Sequence, residues 1–343
     1  MRNVILIAVS ALFLFCSCDK GDAIPATGLM LDHTSLELSV GQEFKLNASL
    51  TPSNSTSSVK WSSSNESVAT VESGVITTLS KGTAVIKVAA GSVEATCTLV
   101  VRGIPEGAVD LGFTVKRKDG TVYHVYWSEC NLGASSPEDF GDYYAWADPE
   151  LYYTGYTRVQ SYESFDKISF DWKEGKAGFE DESYKWYEVH QVTSGILYVY
   201  VKKYNAQPFT GYVVDHRSNL ELNDDAARVK LGGAWRTPTL DEWEGLINNC
   251  SWEWTSLNGV NGYKVVSKAN GNSIFLPASG FIHKSSNTGV RQEGYYWAAS
   301  LYTYENSSNY NQNYGSILYF NSEEYFTSGL GREYGLIIRP VTE

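Results

Sequence analysis

The sequence predicts a multidomain chain, an all-β sandwich followed by an α+β domain. Three observations carry that prediction. Residues 24–102 are short alternating apolar runs, rich in Ser, Thr and Val and separated by turn residues. The later part of the chain holds a capped amphipathic helix start at Thr239 among runs that read as strands. Between the two lies Gly103 to Gly107 (GIPEG), which places a linker at 103–108. At 343 residues the chain is long enough for two sizeable cores.

The N-terminus reads as an export signal. Arg2 supplies a positive charge, and Val4 to Phe15 is an apolar run too short to span a bilayer comfortably. It ends in Phe15-Cys16-Ser17-Cys18, which resembles a bacterial lipobox, where a small residue precedes the cysteine that becomes diacylated. Ser17 suits that position, whereas Phe15 stands where leucine is usual, and its bulk makes Cys16 the weaker candidate. The resemblance implies a signal peptide over 1–17, lipid attachment at Cys18 and a polar tether over 18–23. Ordinary signal-peptidase cleavage is the alternative. The expected location is the outer membrane, lipid-anchored and exposed at the cell surface.

A formal net charge of -12 argues against a nucleic-acid partner, because phosphate binding wants a basic face. The 24 tyrosines and 10 tryptophans fit either a recognition surface or a β-rich fold with tyrosine on half-exposed strands. Of the 5 cysteines, Cys97, Cys130 and Cys250 remain after the signal and anchor. Cys97 sits in an alternating run and reads as a small buried hydrophobe. Sequence leaves open whether Cys130 and Cys250 pair.

Within 24–102, Leu36, Leu38 and Val40 alternate, as do Phe44, Leu46 and Ala48. Val59 and Trp61, Val68 and Val71, then Val85, Ile86 and Val88 follow, and Cys97, Leu99 and Val101 close the set. Such runs predict an antiparallel sandwich with one apolar face per strand. The stretch from LSVGQEFKLNASLTP through WSSSNESVATV to KGTAVIKVAAG resembles the group-2 bacterial immunoglobulin-like domain nearly throughout. The resemblance implies a spacer module with Trp61 as its core tryptophan.

The second domain is expected over 109–343. Its organising stretch is Gly232 to Glu244, GGAWRTPTLDEWE. Thr239 and Glu242 have capping-box spacing, and Pro238 biases Thr237 toward extended geometry. Leu240, Trp243, Leu246 and Ile247 then form one apolar helical face. Leu222 to Val229 reads as a shorter helix. Strands are expected at Val122 to Trp127, Ile196 to Val201, Gly262 to Val266, Ser273 to Pro277, Gly294 to Ser300, Ile317 to Phe320 and Gly335 to Val341. The least patterned part, about 151–218, reads as a tyrosine-rich insertion.

VDLGFTV, WSECNLGASSPEDFGDYYAW, WRTPTLDEWEGLI, GYYWAASLY, LYFNS and GLIIRPV, in that order, resemble the Fibrobacter-type major paralogous domain of surface lipoproteins and pilus-associated proteins of Bacteroides-like bacteria. The resemblance implies a C-type-lectin-like fold, related to that of the formylglycine-generating enzyme. A fold does not determine a site. For a calcium lectin motif the nearest hit is Gln207-Pro208-Phe209, which lacks the third oxygen ligand, and Asp224 with Asp225 are already explained as helix N-terminal charges. No cysteine follows Cys250, which argues against formylglycine chemistry. The histidines are scattered, and no nucleophile elbow or phosphate loop occurs. Asp241, Glu242 and Glu244 crowd one helix start, where capping and a salt bridge to Arg236 account for them better than catalysis. Arg236 and Arg339 read as structural arginines of buried pairs. The expectation is therefore a non-enzyme, with no catalytic residues, no metal and no cofactor.

That leaves binding. The loop around Tyr302 to Tyr314 interleaves Tyr302, Tyr304, Tyr310 and Tyr314 with asparagine and serine, a composition suited to a glycan or a protein epitope. Trp252 and Trp254 follow the helix, one expected inward and one, Trp254, outward toward ligand. Tyr152, Tyr153 and Tyr156 form a second exposed candidate set, and Tyr295, Tyr296 and Trp297 include core residues. The predicted function is a lipid-anchored surface binding protein, an Ig-like stalk presenting a lectin-like head for calcium-independent glycan or host-protein adhesion. The alternative is a structural component of a pilus or surface assembly. The identity of the ligand is not written in the sequence.

Overall fold

The computed structural model describes residues 23–159, 167–191, 197–205, 214–303 and 310–343. The signal and lipobox, with Cys18, lie outside the described residues. The fold is mostly β and divides into two compact units, the first ending at Gly103 and the second beginning at Ile104.

In the first unit the strands are β1 (Gly28–Leu31), β2 (Ser35–Ser39), β3 (Glu43–Lys45), β4 (Ala48–Thr51), β5 (Val59–Ser63), β6 (Ala69–Glu72), β7 (Val75–Thr78), β8 (Gly82–Ala90) and β9 (Val93–Arg102). They form sheets ordered β2-β9-β8-β5 and β3-β7-β6, with β1 paired to β4. Leu46, Val68 and Ile76 meet Ala84, Ile86, Cys97, Leu99 and Val101 in one buried cluster. Cys97 is the small buried hydrophobe its alternation predicts. Trp61 is half-buried against that cluster. Of the adjacent Val85 and Ile86 only Ile86 is buried, as period-two alternation requires. One expectation is corrected: β2 runs parallel to β9, not antiparallel. Alternation sets which face a side chain takes and is blind to strand direction.

The second unit opens with β10 (Ala108–Lys116) and β11 (Val122–Ser128), followed by β12 (Tyr153–Val159), β13 (Lys167–Trp172), β14 (Tyr187–Gln191) and β15 (Leu197–Val201). Helices α1 (Ala226–Leu231) and α2 (Leu240–Asn249) come next. Then follow β16 (Cys250–Leu257), β17 (Val260–Ser267), β18 (Ser273–Pro277), β19 (Phe281–His283), β20 (Ser286–Thr288), β21 (Gly294–Thr303), β22 (Tyr310–Phe320), β23 (Tyr325–Gly331) and β24 (Val341–Thr342). Three three-stranded sheets, β10-β11-β24, β16-β17-β18 and β21-β22-β23, surround the core, with hairpins β12-β13, β14-β15 and β19-β20 added. The two helices are 6 and 10 residues long, so helix content among the described residues is lower than the α+β expectation.

Helix α2 starts where its capping box predicts. Thr239 Oγ1 accepts from the Glu242 amide at 3.2 Å, and Glu242 Oε2 accepts from the Thr239 amide at 2.7 Å. Its apolar face delivers Trp243, fully buried, against Trp127 at 4.7 Å between ring centres. Glu242 receives both guanidinium nitrogens of Arg236, at 2.6 and 2.8 Å, and the Tyr123 hydroxyl at 2.9 Å. Helix α1 begins at Ala226 rather than Leu222. Asp225 takes an extended conformation and caps it, accepting from the Ala227 and Arg228 amides and from the amide and hydroxyl of Thr237. That one carboxyl ties α1 to the segment entering α2.

Two further expectations are corrected. Described residues of the tyrosine-rich middle contribute to the core: Tyr152, Tyr153, Ile168, Phe179, Tyr184, Tyr187 and Val201 sit in the main cluster. Tyr152 and Tyr153 are therefore buried rather than exposed, and Tyr156 is half-buried, donating its hydroxyl to the Gly141 carbonyl. The described residues of the presumed loop over 302–314 are strand: Tyr302 lies in β21, which ends at Thr303, and Tyr310 and Tyr314 belong to β22.

Candidate recognition groove

The predicted site residues separate in the structure. Tyr302 lays its ring over Gly329 of β23. Tyr314 is 39% exposed on β22, opposite Gly331. Tyr304, the Tyr310 side chain and Gln207-Pro208-Phe209 lie outside the described residues. Trp252 and Trp254 do not face opposite ways. Both are half-buried on one face of β16, against Tyr263 and Phe320, since residues two apart on a strand share a face. All three described cysteines are free, so Cys130 and Cys250 do not pair here.

Trp254 nevertheless reaches an open groove of about 470 Å³. Its walls come from three places: Trp254 and Asn261 on the β16–β17 hairpin, Arg291 to Glu293 before β21, and Asn321 to Glu323 after β22. The Arg291 segment is held on several sides. The Gln292 and Glu293 amides both donate to the Gly289 carbonyl, at 2.9 and 2.8 Å. The Arg291 amide donates to Ala278 O at 2.7 Å, and Asn261 Nδ2 donates to Arg291 O at 3.0 Å. Arg291 thereby holds a left-handed φ of 69°, a conformation costing a non-glycine residue about 1 kcal/mol or more.

The groove's polar groups are linked. Glu293 accepts from the hydroxyls of Tyr295 and Tyr319, both at 3.1 Å. Asn321 donates to the Tyr319 hydroxyl at 3.0 Å, and its Oδ1 accepts from the Glu323 and Glu324 amides at 2.8 and 3.0 Å. Burial first, then the Glu293 charge, raises the Tyr295 phenol well above its ordinary range, so it remains a donor. Gln292, Ser322 and Glu323 are exposed at the rim. Among the described residues no cluster of three His, Cys, Asp or Glu side chains is arranged to hold a metal. Sequence reading missed Arg291, Gln292, Glu293 and Asn321. The available signals were the turn glycines Gly289 and Gly294 and the Asn321-Ser322 turn.

A second unusual group lies nearby in sequence. A Cβ at Gly331 would meet Glu333 Oε1 at 2.5 Å and the Tyr334 ring at 2.8 Å, so glycine makes room for both. Tyr334 stacks on His283 at 4.3 Å. Burial, reinforced by the Asp181 charge, pushes the Glu333 carboxyl up to about 7. A folded-state value above the unfolded one favours the protonated form. The resulting stability is fully present below about pH 4.5 and lost as pH rises through about 7. Glu333→Gln should therefore stabilise the second unit by about 1–3 kcal/mol at pH 8 and by almost nothing at pH 4, read by urea denaturation at both values.

Arg236 and Arg339 are held by partners of different kinds. Arg236 has its carboxylate, Glu242. Arg339 is fully buried without one: it donates to Asn131 Oδ1 and to the carbonyls of Ser128, Glu129 and Phe275, at 2.6 to 3.0 Å. Neutral acceptors satisfy it in place of the expected ion pair.

No curated protein matches the chain. Among solved structures, domains 4 and 5 of the S-layer protein SbsC align at 22% identity and a TM-score of 0.19, covering 21% of this chain and 50% of that one. The chain thus spans about half of that structure, and 25% of the SbsC structure of domains 1–6, which aligns at 13% identity and a TM-score of 0.23 over 51% of this chain. SGBP-B of the Bacteroides ovatus mixed-linkage glucan utilization locus, in complex with a mixed-linkage heptasaccharide, aligns at 11% identity and a TM-score of 0.17, covering 92% of this chain and 98% of that one. These scores lie below the level at which two chains share an overall architecture. The family comparison is specific: residues 25–101 match the bacterial Ig-like domain (group 2), and with the sandwich of β1 to β9 they identify this part of the chain as such a domain.

Proposed function

We propose that the chain is a lipid-anchored cell-surface binding protein. In this reading Cys18 carries the lipid and holds the protein in the outer membrane. The Ig-like domain is a spacer, and the second unit is a C-type-lectin-like domain of the Fibrobacter-type major paralogous kind. That unit recognises a glycan or a surface protein without calcium and without catalysis. The observation that supports this best is the groove beside Trp254, where an indole meets the Glu293 carboxylate and the Asn321 amide, both already held by hydrogen bonds.

The test applies the mature protein to a glycan array and to purified surface proteins, with and without EDTA. Saturable binding that survives chelation is expected. Binding abolished by EDTA would overturn calcium independence. Absence of any ligand, together with co-purification of a pilin-like subunit, would favour a structural role in a surface assembly instead.

A further inference from the structure

Resting on that reading, we infer that the groove walled by Trp254, Arg291, Glu293 and Asn321 takes an uncharged oligosaccharide, with a sugar ring laid on the indole. Three features point to this ligand class. First, the charged lining is mostly acidic: Glu293 and Glu323 share the space with Arg291, and Glu324 lies in the adjoining turn. A ligand carrying a full negative charge meets those carboxylates. A neutral polyol avoids that conflict, since its hydroxyls can donate to a carboxylate and accept from an amide.

Second, the aromatic wall is single and braced. Trp254 is fixed edge-on to Tyr263 and Phe320, with centroids 5.2 and 6.3 Å away, which suits an apolar sugar face more than a greasy side chain seeking enclosure. Another groove, of about 480 Å³, is lined by Leu257, Ile274 and Phe275 together with Glu129, Thr255 and Lys264 and has no side-chain amide. Third, the polar groups are already ordered. The Tyr295–Glu293–Tyr319–Asn321 chain of hydrogen bonds and the clamped Arg291 turn leave little entropy to lose on binding. A volume of about 470 Å³ fits a short oligosaccharide within the range of small-ligand sites.

The test is calorimetric titration of the mature protein, in EDTA at neutral pH, with oligosaccharides of neutral glucans, mannans and galactans and with uronic-acid and sulfated ones. Neutral sugars should bind and acidic ones should not. Trp254→Ala should weaken binding tenfold or more. Gln292→Ala, at an exposed position where folding is not at stake, should weaken it threefold to tenfold. Neutral sugars bound equally well by both variants would overturn the groove assignment and leave the binding function intact. Binding confined to acidic sugars, or to a protein ligand alone, would overturn the ligand class with the same exception. Binding of neither glycan nor protein would remove both readings.

Discussion

Glu242→Gln is expected to destabilise the second unit by about 3–5 kcal/mol, measured as a shift in its urea transition. The change is nearly isosteric, so packing is kept and only charge and hydrogen bonding are altered. Glu242 is fully buried and serves three partners at once: the Thr239 cap, the Arg236 guanidinium and the Tyr123 hydroxyl. With the carboxylate gone, Arg236 stays largely buried with only Glu343 left as an acidic partner. A largely buried cation left with one weaker acidic partner accounts for the expected loss, while the capping box survives because glutamine can also fill the third helical position. Removing both partners together, as Arg236→Met with Glu242→Leu, should cost less than Glu242→Gln alone. A single-variant loss under about 1 kcal/mol would mean that water reaches the pair and this account is wrong.

Arg339→Met should cost about 4 kcal/mol or more, the other large effect. Arg339 presents its donors to four neutral acceptors: three carbonyls from Ser128, Glu129 and Phe275, and the Asn131 amide oxygen. Methionine fills similar space but leaves every acceptor buried and unmet, each at about 1–3 kcal/mol before relaxation. Burial lowers the basicity of Arg339, yet guanidinium remains charged because its ordinary value lies so far above neutrality. Arg339→Lys should recover only part of the loss, since an ammonium cannot reach acceptors spread around a planar fork. Equal stability of the lysine variant and the native chain would show that charge alone, not the fork, is what this position requires.

The legible parts of this fold are those with a local physical signature. The Thr239–Glu242 box places α2 to the residue, because capping depends on atoms three positions apart. Alternation places the strands of the Ig-like domain, although not the parallel pairing of β2 with β9. Tyr152, Tyr153, Tyr184 and Tyr187 were not legible as core. Tyrosine suits a wet surface equally well, and what buries these is hydroxyl bonding to distant partners, such as Tyr153 to the Tyr143 amide and Tyr184 to the Trp146 carbonyl. Arg332 has the same character: it lies fully buried near the rings of Trp146, Tyr184, Tyr187 and Tyr204. For the groove, Trp254 was named for its type, but the face it takes was misjudged. Arg291, Glu293 and Asn321 come from turns about thirty residues apart, and nothing in either turn announces the other.

Strand β24 carries one more implication. It closes the sheet of β10 and β11 by pairing Val341 with Trp127 and Thr342 with Tyr126, while Arg339 just before it threads into the middle of the unit. The head therefore cannot finish folding until residue 342 has left the ribosome, whereas the strands of the Ig-like domain are all synthesised by residue 102. Stalling synthesis ahead of β24 should leave the second unit sensitive to protease while the first module resists.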